Sequence, residues 1–103
     1  MFYILKDNNQ VIEEPSLINW VKWKESTKSV ILENRVEFEG SHVMVITEFT
    51  GSDQFKERGK PLLYETRSYG PDKSKEIIRT HDYESAVAAH KQCLSELQMN
   101  IEA

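Results

Sequence analysis

Residues 30–49 read VILENRVEFEGSHVMVITEF, with apolar side chains at alternate positions on both sides of Gly40-Ser41. A period of two is typical of strands that bury one face. The Gly-Ser turn predicts that the two halves pair antiparallel, with Phe38 opposite Val43 and Val36 opposite Val45. This register places the apolar side chains of both strands on one face, so the segment predicts a hairpin at the centre of a sheet.

Predicted strands and helices flank this hairpin. Residues 2–5 and 11–12 are apolar and predict a short strand pair before it, and residues 61–69 and 76–80 predict two strands after it. Ser16 and Asp82 are suitable caps for one helix near residues 17–26 and for a closing helix. We therefore predict a single α+β domain over residues 1–103. Its antiparallel sheet of four to six strands carries two helices on one face, in the order ββ-α-ββββ-α.

Composition excludes several classes of protein. The chain has 103 residues, a net charge of −4 and one cysteine, Cys93. One cysteine closes no intramolecular disulfide, and the acidic balance disfavours general nucleic-acid binding. The apolar N-terminal run is too short for a signal peptide, and no run approaches the roughly 20 residues of a membrane span. We expect a cytoplasmic protein without membrane binding, metal or other cofactor.

A set of polar residues lies on the predicted buried face of the sheet and closing helix. The predicted register places Asn34 opposite Thr47, and His90 follows Ala86 on the apolar stripe of the helix. Glu65 or Thr66 joins them, depending on the register of the next strand. This set is either an internal network that satisfies its own polar groups or a ligand or hydrolase-like site in which Glu65 orients His90 as a base.

Two further hypotheses involve His90. Asp53, Glu65 and His90 have the chemistry of a metal site, but their spacing does not require one, and we predict none. Cys93 lies one helical turn from His90, which permits contact between thiol and imidazole. A buried, inert thiol is the simpler expectation.

A loop over residues 51–60 is the candidate binding surface. It is longer than a hairpin needs, and it gathers Lys56, Arg58 and Lys60 around Phe55. An aromatic side chain among cations would suit an acidic patch on a protein partner. Trp23 of the first helix is a second candidate anchor, unless it packs on the N-terminal strand pair.

Residues 45–53 (VITEFTGSD) resemble the T-x-F-x-G-x-D stretch of a family of small uncharacterised phage, prophage and bacterial proteins. Residues 61–66 (PLLYET) resemble its P-x-L-[FYW]-E-T motif, and residues 86–90 (AVAAH) are similar to the end of its alanine-rich closing helix. The resemblance implies a phage setting and a host-directed accessory protein. It singles out five residues: Thr47, Asp53, Glu65, Thr66 and His90.

These observations leave three functions open. The first is a non-enzymatic module that binds a host or phage protein, an inhibitor of host defence being one form. The second is the ligand-binding or hydrolase-like site at His90 and Glu65. The third is a structural homo-oligomer, which includes a homodimer, because the predicted outer face of the sheet carries Ile31, Met44 and Ile46 among charges.

Overall fold

A four-stranded antiparallel sheet forms the centre of the protein and confirms the predicted α+β class. The computed structural model describes residues 1–38, 40–70 and 75–102. Its elements are β1 (Phe2–Lys6), β2 (Gln10–Glu14), α1 (Leu17–Ser26), β3 (Val30–Phe38), β4 (Ser41–Phe49), β5 (Lys56–Glu57), β6 (Lys60–Pro61), β7 (Tyr64–Tyr69), β8 (Lys75–Thr80) and α2 (Tyr83–Glu102). The central sheet has the order β3-β4-β7-β8, and β1-β2 and β5-β6 are separate strand pairs. None of the helices described here is both long and apolar enough to cross a membrane.

The register of the β3–β4 hairpin differs by two residues from the predicted one. Val36 lies opposite Val43, and Asn34 lies opposite Val45 rather than Thr47. Strand pairing already begins at Phe38 and Ser41, so Ser41 belongs to the strand and not to the turn. A shift of two preserves the side-chain faces, which is why the predicted buried face remains correct while the predicted partners are wrong.

A β-bulge near the start of β3 corrects the predicted position of Ile31. The register shifts between Val30 and Leu32, where Val30 pairs with Glu48 and Leu32 with Thr47. The extra residue interrupts the alternation, and Ile31 packs against the core instead of lying on the outer face. The apolar outer face proposed for homo-oligomer formation therefore loses one of its three side chains.

Aromatic side chains connect both helices to the same face of the sheet. Phe49 and Tyr64 are fully buried, with ring centroids 5.2 Å apart. Trp23 of α1 contacts Phe49 edge to face at 5.8 Å, and Tyr83 of α2 contacts Tyr64 at 6.5 Å. Leu17, Ile18 and Val21 of α1 stay exposed.

The N-terminal strand pair is joined to the sheet at Gly51. The carbonyl of Gly51 accepts from the Tyr3 N–H at 2.8 Å, and the Tyr3 carbonyl accepts from the Trp20 indole at 3.0 Å. Gly51 has a φ of +72°, which favours glycine. A Cβ there would lie 2.6 Å from the Tyr3 carbonyl oxygen and 2.8 Å from Trp20 Nε1. Position 51 therefore requires glycine, both because of its backbone conformation and because a Cβ has no space there.

We predict that Gly51→Ala destabilises the protein more than Gly59→Ala. Gly59 has a similar φ of +79° but open space around its Cα. In both variants, an alanine in the left-handed backbone conformation costs about 1–2 kcal/mol. Only Gly51→Ala adds an overpacking cost of roughly 1–3 kcal/mol. Urea unfolding of the two variants measures the difference, and equal losses of stability would contradict the close approach at Gly51.

Candidate functional site

A continuous series of hydrogen bonds crosses the helix-facing side of the sheet. Thr66 Oγ1 lies 2.8 Å from Thr47 Oγ1, and Thr47 Oγ1 lies 2.8 Å from His90 Nδ1. His90 Nε2 lies 2.8 Å from Asn34 Oδ1. We call these four residues the polar chain: Asn34, Thr47, Thr66 and His90.

Strand alternation and helix position explain how the polar chain assembles. Thr47 and Thr66 are directly opposite in the β4–β7 ladder, and both side chains point towards α2. In the part of α2 whose burial the structure describes, the buried residues are Ala86, Ala89, His90 and Cys93. The two alanines allow close approach of the helix, so that the imidazole reaches both strands. The sequence predicts the grouping of Asn34, Thr47 and His90, and Thr66 is one of its two alternatives for the next strand.

The chemistry of the acceptors fixes the direction of each hydrogen bond. The amide oxygen of Asn34 only accepts, so His90 Nε2 donates to it and carries the ring proton. His90 Nδ1 then accepts from the Thr47 hydroxyl, and Thr47 accepts from Thr66. Burial lowers the pKa of His90 below 6.5 and favours this neutral form.

Glu65 does not belong to the polar chain. It follows Tyr64 on the strand and points to the opposite face of the sheet, between Arg67 and Arg79. The Glu65 carboxylate oxygens lie 3.9 Å from Arg67 Nε and 3.7 Å from Arg79 Nε. The predicted arrangement in which Glu65 orients His90 is wrong, because adjacent residues of a strand point to opposite faces. Asn34, and not Glu65, is the residue that hydrogen bonds to His90 and orients its ring.

Asp53 is also separate from His90. Its carboxylate accepts from the N-terminal amine of Met1 at 3.0 Å and faces Lys56 at 3.6 Å. The hydrogen bond from the N-terminus lowers the pKa of Asp53. Within the ranges that the structure describes, His, Cys, Asp and Glu side chains form no group of three or more that could hold a metal.

Cys93 is buried and lies beside Ser68 rather than a base. Burial raises the pKa of the Cys93 thiol, and a hydrogen bond with Ser68 offsets part of that rise. A thiol with a raised pKa is a poor nucleophile at neutral pH. Because both nitrogens of His90 are already engaged, the imidazole is not available to activate Cys93.

Burial determines what the polar chain can do chemically. A hydroxyl, an imidazole and an amide in this order match the arrangement of a nucleophile, its base and an orienting group. However, Thr47 and Thr66 are fully buried and His90 is 2 % exposed, so a substrate has no access to the hydroxyls. In this conformation, the arrangement stabilises the contact between α2 and the sheet.

The segment over residues 51–60 is partly a hairpin and not a plain loop. β5 and β6 pair across a turn at Arg58-Gly59, where Arg58 has a φ of +51°. Arg58 and Lys60 are exposed, as the sequence predicted for a binding surface. Phe55 is 41 % exposed, and the Arg79 guanidinium lies 3.8 Å from its ring centroid. Sequence reasoning missed Arg79, because its strand is remote in the chain.

Trp23 does not have the exposure expected of a partner anchor. Its half-buried ring packs on Phe49, in the core cluster that Tyr3 and Leu5 of β1 also contact. Trp20 contacts the N-terminal strand pair directly, with its ring 4.7 Å from Phe2 and its indole N–H on the Tyr3 carbonyl. Among the predicted binding residues, Phe55, Arg58 and Lys60 are exposed within residues 51–60, whereas Trp23 is half-buried against Phe49.

No protein-family model, curated protein or solved structure matches this chain. The resemblance to phage and prophage proteins thus stays a prediction from its motifs. The functional hypotheses depend on the geometry of the chain itself.

We predict that Thr47→Val destabilises the protein by about 1–3 kcal/mol, because it leaves His90 Nδ1 and the Thr66 hydroxyl short of a partner. Thr80→Val is the matched control. The Thr80 hydroxyl is buried and has no hydrogen-bond partner among the described residues. Its removal should leave the free energy of unfolding unchanged or higher. Urea unfolding of both variants is the measurement, and an unchanged Thr47→Val would refute the role of the polar chain.

We also predict a pH dependence of stability that arises from His90. Its pKa is lowered in the folded state relative to 6.5, so the unfolded chain binds the proton more readily. The contribution of His90 is complete above pH 6.5 and is lost as the pH falls from there through the folded-state pKa. Unfolding free energies between pH 7.5 and 5.5 should therefore depend on pH less steeply in His90→Gln than in wild type. Equal slopes in His90→Gln and wild type would contradict this assignment.

Proposed function

We propose that this chain is a non-enzymatic, phage-type accessory module that works in the host cytoplasm and binds a host protein bearing an acidic patch. We call the contact region the hairpin surface, which consists of Phe55, Arg58, Lys60 and Arg79. The observation that carries the proposal is the exposed Phe55 ring held against the Arg79 guanidinium.

The fixed position of Phe55 supports its role as an anchor. The ring stacks on Arg79, and the Phe55 carbonyl accepts from the Leu62 N–H at 2.8 Å. An aromatic side chain that is already ordered loses little conformational freedom on binding. Aromatic and arginine side chains are also the residues that most often dominate binding energy at protein interfaces.

Charge favours an acidic partner. The chain has a net charge of −4, yet Arg58 and Lys60 are exposed next to Phe55. Neither cation lies in an ion pair with a carboxylate of the described residues. Asp53, at the base of the segment, is offset by the N-terminus and Lys56. Arg58 can therefore face a partner's carboxylates, and Lys60, which also attracts the Asp82 carboxylate, adds positive charge near it.

The polar chain supports a binding role over the hydrolase-like alternative. The Thr47 and Thr66 hydroxyls are buried. The His90 imidazole is neutral and forms a hydrogen bond at each ring nitrogen. Glu65 lies on the other side of the sheet. Catalysis at His90 would require α2 to move away from the sheet, and the hairpin surface is accessible without such a change.

We predict that Phe55→Ala and Arg58→Asn each reduce capture of a specific partner from a bacterial lysate by at least about tenfold, the loss expected for an interface anchor. Asparagine is chosen at position 58 because it tolerates the left-handed backbone. Affinity capture followed by mass spectrometry compares the two variants with wild type. Direct titration of the purified partner then gives the affinity and its dependence on salt.

Lys91→Gln is the control, because it removes one charge from an exposed position of α2. It should capture the same partner as wild type. Partners that remain with both hairpin variants, or that disappear with Lys91→Gln as well, would exclude the hairpin surface as the interface.

A further inference from the structure

The outer face of the central sheet, opposite to both helices and to the polar chain, carries an apolar strip at its centre. Strand alternation places Met44 and Ile46 of β4, Tyr69 of β7 and Ile77 of β8 on this face. Met44 lies directly opposite Tyr69 in the β4–β7 ladder, and Ile77 is 39 % exposed. The last two strands thus add two apolar side chains to the pair that the sequence predicts for this face.

The charges around this strip are divided between the two halves of the sheet. Among the described residues, the β3–β4 half carries three carboxylates and one cation on the outer face: Glu33, Glu37, Glu48 and Arg35. The β7–β8 half carries three cations and one carboxylate: Arg67, Lys75, Arg79 and Glu65. One half of the face is therefore acidic, and the other half is basic to the same extent.

Symmetry determines how two copies of such a face fit together. Most homodimers form about a two-fold axis, which brings the same patch of both copies into contact. An axis between two facing sheets and parallel to their strands places β3 and β4 of one copy over β8 and β7 of the other. The acidic half of each copy then faces the basic half of the other. An axis perpendicular to the strands would place each half over its own counterpart, so that like charges meet.

We propose that the outer face binds a second copy of this chain, with the two sheets packed face to face about a two-fold axis parallel to the strands. Aligned packing of two sheets at about 30° is an established arrangement in β-sandwiches. It brings the Met44 thioether close to Tyr69 of the partner subunit, and a sulfur atom beside an aromatic ring is a favourable contact. The aliphatic stem of Arg67 covers Ile46 of the partner subunit in the same way.

The dimensions of the face indicate a dimer in exchange with its monomer. Four strands about 4.8 Å apart, with about 3.4 Å per residue, give an area of roughly 20 by 20 Å. Burial of such a face on both copies removes on the order of 1,000 Å² from water, at the lower limit for specific interfaces. We therefore expect a dissociation constant in the micromolar range, with charge complementarity providing the specificity.

The outer face and the hairpin surface are adjacent but distinct. Arg79 is the residue they share, because its guanidinium extends from β8 to the Phe55 ring. The other members of the hairpin surface, Phe55, Arg58 and Lys60, lie within residues 51–60 and outside the four strands. The variants below leave all four residues unchanged, so either proposal can fail without the other.

The test is analytical ultracentrifugation of wild type and two charge-reversed variants over a range of protein concentrations. Glu33→Lys/Glu37→Lys makes both halves of the outer face basic. Arg67→Glu/Lys75→Glu makes both halves acidic. Each variant alone should self-associate at least about tenfold more weakly than wild type, because like charges then meet across the interface. An equimolar mixture of the two should dimerise at least as well as wild type, which also shows that both variants are folded.

A control separates the charge of this face from the charge of the whole chain. Lys22→Glu/Lys91→Glu lowers the net charge as much as Arg67→Glu/Lys75→Glu does, at exposed positions of the two helices. It should dimerise as wild type does. Wild type that stays monomeric, either reversed variant that dimerises as wild type does, or a mixture without recovery would overturn the proposal.

The orientation of the axis has its own measurement. In a mixture of ¹³C-methyl-methionine protein and unlabelled protein, isotope-filtered NMR detects only contacts between copies. A nuclear Overhauser effect (NOE) from the Met44 methyl group to the Tyr69 ring is expected for an axis parallel to the strands. Absence of this NOE in a sample that ultracentrifugation shows to be dimeric would exclude the proposed packing.

Discussion

The hydrogen bond between Thr47 and His90 fixes the position of α2 on the sheet, and most other features follow from that position. The fully buried residues among those described in this helix are small apart from the imidazole: Ala86, Ala89 and Cys93 besides His90. Apolar contact alone tolerates sliding of a helix, whereas hydrogen bonds to both nitrogens of an imidazole fix its position and its rotation. Only the neutral ring can accept from Thr47 while it donates on the other side. The packing of the helix is therefore linked to the protonation state of one side chain.

Placement of α2 and α1 on one face leaves the charged residues of the sheet on the other. Glu65 lies there between two arginines, and Arg79 extends to the ring of Phe55. Residues 51–60, which follow β4, are thereby held in place at Gly51 and at Phe55. Gly51 holds the base, because its left-handed backbone lets the Tyr3 carbonyl and the Trp20 indole approach closely. Exposure of Phe55 thus comes from an ordered segment, which is the property expected of a preformed anchor.

The period of the sequence was sufficient to predict the strands, the helices and the buried face, because alternation depends only on local geometry. It was not sufficient to predict which residues lie opposite each other in the hairpin. A hairpin register that is wrong by two residues keeps the same buried face, so the alternation could not distinguish Val45 from Thr47 opposite Asn34. The bulge at Ile31 has no signal in a plain alternating run. Asn34, Thr47 and His90 were grouped correctly because each is polar in an apolar pattern. Arg79 has no such anomaly, so its contact with Phe55 could be found only from the structure.

Two buried hydroxyls of this protein, those of Thr47 and Tyr64, differ in whether the described residues supply them with a hydrogen-bond partner. Thr47 is polar at a position that the sequence marks as anomalous, yet its hydroxyl is fully satisfied within the chain. Tyr64 fits an aromatic core and attracts no notice in the sequence, yet its hydroxyl has no partner in the part of the chain that the structure describes. A polar residue in an apolar pattern identifies a group that must find a partner, and it does not tell whether that partner is internal. Internal partners are available to Thr47 because three strands and a helix converge on it. Tyr64 is the first residue of β7 and lies next to the start of α2, where no described side chain reaches its hydroxyl.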